Sequence, residues 1–274
     1  MAVIHLGGRL VDAATARIDP ADRGFLLADG LFETLRVYDG EAFKVEAHLA
    51  RLAAGAHTLG IPMPAVAEIT LAIADTLSAN KLRDASLRIT LTRGPGQRGL
   101  LPPKDAKATL LIAPSPAAER SLAPMTAHIA SIRRNEHSPL SRVKSLAYLD
   151  NILALREAAE AGFDEALLLN TAGRLAGGSR SNVFLVLDGI LITPPLSEGV
   201  LAGITRQAVL DLATDAGIET REMPLTMADL ARAGEALICN SLLEVRALSR
   251  IDKRVLLPGP TANALAERYR ALTG

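Results

Sequence analysis

Long apolar runs are missing from this sequence of 274 residues. No uninterrupted stretch approaches the roughly 20 apolar residues that a membrane-spanning helix needs, so we predict no membrane partner. The first segment, MAVIHLGGRLVD, carries an acidic residue early and does not follow the basic-then-apolar order of an export signal. Cys239, the one cysteine, excludes an intramolecular disulfide and fits a reducing compartment. These features together predict a cytoplasmic protein.

An excess of charge of one sign is missing too, because 30 basic and 30 acidic residues cancel. The balance gives no electrostatic reason to expect nucleic acid or an anionic membrane as a partner. The five histidines show no metal-ligand spacing, so no metal site is predicted. No Gly-x-Gly-x-x-Gly run opens a helix after a strand, and neither a Walker loop nor a Gly-x-Ser-x-Gly turn occurs. Dinucleotide, P-loop and serine-hydrolase chemistry are therefore not indicated.

Lysine is scarce, since six lysines stand beside 24 arginines. A GC-rich genome explains most of this bias, yet it leaves few lysines to inspect. Lys144, in SRVKSLAYLDN, lies where a polar loop meets a helix with apolar periodicity. Burial would lower the pKa of such an amine and make it a nucleophile. Taken alone, however, a lysine at a junction is more often a surface residue whose stem covers apolar neighbours.

Strand and helix signals alternate irregularly along the chain. The first half predicts hairpins around Gly7-Gly8 and Asp39-Gly40, followed by helices over residues 45–58 and 65–79. The second half predicts several strands with helices between them and no regular β-α order, which is typical of an α+β fold. Prolines 114 and 116 indicate a linker. We predict a small N-terminal domain, a linker and a larger C-terminal domain, at residues 1–115, 116–125 and 126–274.

Three segments could supply donors to an anion. Ile204 and Thr205 follow Gly203 at a predicted helix start, where backbone N–H groups and the helix dipole favour a dianion. Arg51 on a helix could add a bidentate charge, and Ser241 a hydroxyl at a break between strands. Ordinary helix-start, solvated-helix and turn residues explain each of them equally well or better when they are taken singly.

The loop TRGPGQRG places Arg93 and Arg98 on either side of a glycine-rich turn. Two arginines spaced in this way could clamp a substrate carboxylate. They could equally serve as charges that keep a loop solvated, and the local sequence does not separate the two interpretations.

The order of these segments resembles the class IV aminotransferase family. The similarity runs over about residues 3–250 and rests on GFLLADGLFETLRVYDG, EAHLARL, TRGPGQRG, KSLAYLDNILALREA, SNVFLVLDG, GITRQAVLDLA and ICNSLLEV. The resemblance implies a fold-type IV enzyme that binds pyridoxal 5′-phosphate. It further implies a small N-terminal α/β domain, a larger barrel-like C-terminal domain with the cofactor between the two, and a homodimer.

The resemblance also implies roles for individual residues. Lys144 would form the Schiff base with the cofactor and then move the proton at the substrate Cα. Cofactor-binding positions would be filled, besides Lys144, by Arg51, Asn182, Ile204, Thr205 and Ser241. Substrate-binding positions would be filled by Phe32, Arg93 and Arg98.

One position departs from the family pattern. The family reads Glu-Gly-x-x-x-Asn before the SNVF segment, with the glutamate on the pyridine nitrogen, whereas this chain has Gly177 five residues before Asn182. The chain is then a variant with an impaired electron sink, or it uses a reaction that tolerates an unprotonated ring, or another group fills the gap. We expect cofactor binding to survive and turnover to be slowed, and the replacement Gly177→Glu would test this.

The resemblance leaves the reaction open. An aminotransferase with D-amino-acid-like or broad specificity is the first expectation, because KSLAYLDN and GFLLADGLFETLRVYDG fit that group. The RG-x3-RG loop and ICNSL favour 4-amino-4-deoxychorismate lyase, which eliminates pyruvate and leaves 4-aminobenzoate. A branched-chain enzyme is less favoured, because the segments KVEAHLARL and CNSLLE differ from its usual motifs. A cofactor-binding paralogue with impaired or no catalysis is the last alternative.

Overall fold

A computed structural model describes residues 2–257 and 259–274 of the chain. These residues form two compact units. The first unit contains the chain up to Glu119 together with Val143–Ala147, and the second contains Arg120–Arg142 and Tyr148–Gly274. The boundary at 119/120 lies within the stretch predicted as a linker.

The first unit is built on a six-stranded antiparallel sheet with the strand order β2-β1-β6-β5-β3-β4. Its strands are β1 (Val3–Leu6), β2 (Arg9–Asp12), β3 (Gly30–Tyr38), β4 (Glu41–Ala42), β5 (Ala85–Thr92) and β6 (Thr109–Pro116). Its helices are α1 (Arg23–Leu27), α2 (Val45–Leu59) and α3 (Val66–Asn80). Both predicted hairpins are confirmed, and their turns carry positive φ angles at Gly7, Asp39 and Gly40.

The core of the first unit lies on one face of this sheet. Side chains alternate between the two faces of a strand, so every second residue of β5 points the same way. Helices α2 and α3 contribute apolar side chains to the same cluster, including Leu49 and Ile69. Each fully buried leucine or isoleucine contributes about 1.5–3 kcal/mol to stability. The central buried positions of the sheet are Leu35, Ala85, Leu87, Ile89, Leu91 and Ile112.

The segment Val143–Ala147 belongs to the first unit although it follows strands of the second. The backbone N–H of Phe32 donates to the carbonyl of Lys144, and that of Leu146 donates to Gly30, each at 2.9 Å. Ser145 forms an isolated bridge with Leu31. Strand β4 covers only the far end of β3, so this edge of β3 is open to the segment. The structure thus differs here from the predicted division, which placed all residues from 126 onward in one domain.

The second unit is built on a nine-stranded mixed sheet. Its strands are β7 (Met125–Arg134), β8 (Glu165–Asn170), β9 (Leu175–Gly178), β10 (Asn182–Leu187), β11 (Ile190–Thr193), β12 (Thr220–Glu222), β13 (Glu235–Asn240), β14 (Glu244–Ile251) and β15 (Arg254–Val255). Its helices are α4 (Leu149–Glu160), α5 (Ile204–Asp215), α6 (Met227–Arg232) and α7 (Pro260–Thr273). Strand pairs β7–β8, β7–β14 and β11–β12 are parallel, and the other pairs are antiparallel.

Small residues let α4 lie close to the strands beneath it. Ala154 and Ala158 on this helix are fully buried against Ala130, Ala166 and Leu168 of β7 and β8. Both units combine sheets made mostly of antiparallel pairs with separate helices, which confirms the α+β class. Within the described residues, no helix is long and apolar enough to cross a membrane.

Candidate functional site

The Lys144 amine lies over an aromatic ring in the first unit. Its Nζ is 4.4 Å from the centroid of the Phe32 ring, and the Arg88 guanidinium carbon is 4.0 Å from the same centroid. The negative face of an aromatic ring attracts cations at such distances. Phe32 is buried and Lys144 half-buried. The predicted pair Lys144 and Phe32 is therefore brought together, and Arg88 joins it without having been singled out from the sequence.

A buried ion cluster stands next to this pair. Arg51 donates from Nε to Glu33 Oε1 at 2.8 Å and from Nη2 to Glu33 Oε2 at 2.6 Å, and His48 Nδ1 lies 2.7 Å from Oε2. Burial alone would raise the pKa of Glu33, but hydrogen bonds and charges from Arg51 and His48 lower it to about 2. Glu33 is therefore ionised at neutral pH. Neither Glu33 nor His48 was identified from the sequence.

His48 is neutral at physiological pH. Burial is the largest cause that lowers its pKa, and the positive charges of Arg51 and Lys144 lower it further, against the opposing effect of Glu33. A neutral imidazole can donate from only one nitrogen. Since Nδ1 faces a carboxylate, that nitrogen carries the proton.

Arg93 is buried and makes contacts within its own unit. It donates from Nε and Nη2 to Asp29 at 2.7 and 3.0 Å, and to the carbonyls of Gly60 and Leu59 at 2.6 and 2.7 Å. These carbonyls lie at the C-terminal end of α2, so the guanidinium caps that helix. This arrangement differs from the predicted carboxylate clamp. Arg98 is exposed on the loop after β5.

The start of α5 in the second unit lacks a capping side chain. Its N-cap is Gly203, and its first turn contains the buried Thr205 and no acidic residue. The first N–H groups of a helix have no partners within the helix, and the helix dipole makes this end positive. The predicted anion-binding positions Ile204 and Thr205 thus begin a helix whose terminus suits a phosphate group.

Asn182 and Arg206 hold the start of α5 in place. Asn182 donates to the carbonyl of Leu201 at 3.0 Å, and a Cβ at Gly203 would lie 1.9 Å from its Oδ1. Arg206 is buried and donates to Glu222 at 2.6 Å. Asn182, predicted to bind the cofactor, is thus in contact with the loop that leads into α5.

Ser241 lies in the turn between β13 and β14 and is half-buried. The turn is closed by Asn240, whose side-chain oxygen accepts from the backbone N–H groups of Leu242 and Leu243 at 2.8 and 2.7 Å. These contacts fix the backbone on both sides of Ser241. Its role in cofactor binding stays a prediction.

Gly177 has a backbone that suits glycine. Its φ is +121°, a value that L-residues rarely adopt, and an added Cβ would lie 3.2 Å from the carbonyl oxygen of Ser181. Two buried carboxylates of the same unit serve other contacts. Glu165 accepts from Ser179 and Ser181, and Glu198 accepts from Asn170 and Arg174.

Replacement of Gly177 by alanine is expected to lower the free energy of unfolding by about 1–3 kcal/mol, because the residue must keep a strained backbone. Chemical denaturation would measure the change. Gly234→Ala is the matched control, since its φ is not positive and the nearest atom to an added Cβ lies 3.8 Å away. Equal stability of the two variants would contradict the strain argument. Gly177→Glu carries the same backbone cost, which any test of a restored carboxylate must take into account.

A profile of the family described as amino-transferase class IV matches residues 30–251 of this chain. The chain is 39% identical to the "Putative branched-chain-amino-acid aminotransferase" of Methanocaldococcus jannaschii, over 97% of this chain and 95% of the relative. It is 30% identical to the D-alanine aminotransferase of Bacillus licheniformis, over 94% and 92%. It is 32% identical to the aminodeoxychorismate lyase of Bacillus subtilis, over 92% and 87%.

Solved structures agree with these relatives. The branched-chain aminotransferase from Thermoproteus uzoniensis with norvaline superposes with a TM-score of 0.95 at 32% identity, over 99% of this chain and 94% of that one. A second branched-chain enzyme, from T.th. and solved with pyridoxamine 5′-phosphate, gives 0.94 at 28% identity, over 100% and 94%. This chain belongs to the class IV aminotransferase family, whose members are pyridoxal-phosphate-dependent enzymes. The resemblance predicted from the motifs is confirmed.

Proposed function

We propose that this chain is a pyridoxal-phosphate-dependent aminotransferase that moves an amino group between an amino acid and a 2-oxo acid. The observation that carries the proposal is the position of Lys144, a half-buried amine held over Phe32. Family membership over residues 30–251 supports the same reaction class.

The donor set of the chain fits the cofactor. Lys144 offers an amine to an aldehyde, and Arg51 offers N–H groups to a phosphate. In the second unit, the start of α5 at Ile204 and Thr205 lacks a capping side chain, and the Ser241 hydroxyl is a further phosphate donor. When bound, pyridoxal phosphate supplies an aldehyde and a ring that withdraws electrons from the substrate Cα.

Lys144 would act at the substrate Cα once its amine is released. A neutral lysine amine can accept a proton and return it, which is the role of a general base and acid. The positive charges of Arg51 and Arg88 in the same unit favour the neutral amine, because like charges disfavour the protonated form. The phosphate-binding residues take part in no bond making. They fix the position at which Lys144 can reach its proton.

Two substrate classes follow from the relatives. Branched-chain L-amino acids come first, because the 39% identical relative and the structure with the TM-score of 0.95 carry that name. D-Alanine, the class expected from the motifs, comes second with the Bacillus licheniformis relative. Phe32 and Arg88 supply an apolar surface and a cation, which suit an amino acid with an apolar side chain and a carboxylate.

We expect the cofactor-loaded protein to convert L-leucine, with its visible absorption band falling as the pyridoxamine form of the cofactor accumulates. D-Alanine should react more slowly, because it presents its Cα proton with the opposite handedness. Titration of each amino acid, followed by visible absorption, measures both half-reactions. Faster reaction of D-alanine would reverse the assignment of specificity and keep the aminotransferase. No spectral change with either amino acid would contradict the proposed reaction.

The lyase reaction is the second candidate, because the chain carries the RG-x3-RG loop and is 32% identical to the Bacillus subtilis lyase. Both reactions need the amine of Lys144 and differ in what leaves after the Cα proton is removed. Incubation with 4-amino-4-deoxychorismate separates them. Release of pyruvate together with 4-aminobenzoate, without any response to L-leucine, would assign the lyase activity to this chain.

A further inference from the structure

The ion cluster of Glu33, His48 and Arg51 has a geometry that exceeds what a simple ion pair needs. The Glu33 carboxylate takes two donors from one edge of the Arg51 guanidinium and a third from His48, all within 2.8 Å. The Glu33 and His48 side chains are 1% and 2% exposed, against 13% for Arg51. The most accessible member of the cluster is therefore the cation, and the groups behind it are inaccessible to solvent.

The fork between Arg51 and Glu33 fixes the plane of the guanidinium. A bidentate pair through Nε and Nη2 allows one orientation of the group, and the Nη1 side then points away from the carboxylate. A free arginine side chain carries substantial rotamer entropy, which a ligand must otherwise overcome when it binds. Holding the guanidinium beforehand removes that cost from the binding step.

His48 completes the arrangement from the same helix as Arg51. Its Nδ1–H and Arg51 Nη2 share Glu33 Oε2, so the carboxylate is held from two sides and cannot rotate. The charged groups around the imidazole are Glu33 from β3, Arg51 from α2 and Lys144 from the segment 143–147. A neutral imidazole adds a donor without adding a third positive charge to this place.

We propose that Glu33 and His48 are positioning residues that orient Arg51 for the phosphate group of pyridoxal phosphate. This inference rests on the proposed function, because it takes Arg51 as a phosphate ligand. Neither Glu33 nor His48 needs to touch the cofactor. Their effect passes through the guanidinium and is confined to the phosphate end of the ligand.

Affinity for two ligands, pyridoxal phosphate and unphosphorylated pyridoxal, separates positioning from a general structural role. Both aldehydes react with Lys144, but only the first has a phosphate for Arg51. We expect Glu33→Gln to weaken pyridoxal phosphate binding to the apoprotein about tenfold and to leave pyridoxal binding unchanged, with both affinities measured by visible absorption. Glu46→Gln is the control, because Glu46 is an exposed carboxylate on the same helix.

A double-mutant cycle tests whether the effect passes through Arg51. Arg51→Gln should weaken pyridoxal phosphate binding more than Glu33→Gln does, and adding Glu33→Gln to it should cause no further loss. Additive losses, or equal losses for both aldehydes, would overturn the inference. His48→Leu, which keeps the Glu33–Arg51 fork, serves if Glu33→Gln does not fold, and it should lower the ratio of the two affinities by a smaller factor.

The wild-type protein distinguishes this inference from the proposed function. If wild type forms no borohydride-reducible adduct at Lys144, the proposed function and this inference both fail. If wild type forms the adduct and the ratio of affinities is the same in Glu33→Gln and His48→Leu as in wild type, only the positioning role is refuted.

Discussion

Replacing Lys144 with alanine is expected to abolish covalent attachment of pyridoxal phosphate and to lower transamination on the order of 10²–10⁴-fold. The amine is the group that Phe32 and the segment 143–147 hold in place, and alanine can neither bond to the aldehyde nor carry a proton. Borohydride reduction followed by peptide mass spectrometry locates the adduct, and visible absorption follows its loss.

Lys104→Ala is the matched control for this experiment. Lys104 is exposed on the loop before β6 and should not affect attachment or turnover. A reduced adduct at Lys104, or at any lysine other than Lys144 in wild type, would refute the assignment of Lys144. Adduct formation that persists undiminished in Lys144→Ala would do the same.

Replacing Asp29 with alanine is expected to lower the free energy of unfolding by about 3–5 kcal/mol at neutral pH. Asp29 accepts from Arg23 at 2.8 Å and from Arg93 at 2.7 Å, and both arginines are buried. Removing the carboxylate leaves two positive charges out of water without their counter-charge, which is far costlier than losing a surface pair. Urea denaturation of the two proteins measures the difference.

The same carboxylate gives this stability a dependence on pH. Burial raises the pKa of Asp29, but the hydrogen bonds and charges of Arg93 and Arg23 outweigh it and hold the pKa below 3.8. The stabilising contribution is therefore complete above the pKa of the unfolded chain and is lost as pH falls through the lower folded pKa. The gap between wild type and Asp29→Ala should narrow in that acid range.

Asp105→Ala is the control, because Asp105 is exposed on the loop before β6. It should change stability by no more than about 0.5 kcal/mol. A loss below about 1 kcal/mol for Asp29→Ala would mean that Arg23 and Arg93 find water or other acceptors in its absence.

Local patterns predict most of the regular elements. The apolar spacing predicts α2 over residues 45–58, and the helix spans Val45–Leu59, because Gly60 adopts the left-handed conformation that ends a helix. The short elements α1, α6, β9 and β12 escape prediction. Segments of three to six residues are too short to show a period, and tertiary contacts such as β12 pairing with β11 define them.

Prolines 114 and 116 give a misleading signal. They predict the end of the strand and the start of the linker, yet β6 continues to Pro116 and pairs with Ala85. Strand β1 pairs only with Leu111 and Ile112 of β6. The last part of β6 therefore has a free edge, where a residue without an N–H group costs no ladder hydrogen bond.

The candidate site is predictable only in part. Lys144, Phe32 and Arg51 are recognisable through the order of their motifs, which reflects family membership. Their partners Glu33 and His48 are not, because a carboxylate in a strand and a histidine in a helix look like ordinary residues until β3 and α2 are packed together. The contacts of Arg93 depend in the same way on Asp29, which lies 64 residues away in sequence.

The docking of residues 143–147 on β3 limits how this polypeptide can be divided. A fragment that stops at residue 119 would leave the Gly30–Phe32 edge uncovered and would lack the reactive amine altogether. A fragment that begins at residue 120 would carry that amine on a segment with no strand to receive it. Separate expression of two halves should therefore restore attachment of pyridoxal phosphate only when both are mixed, which makes the chain a candidate for complementation by split fragments.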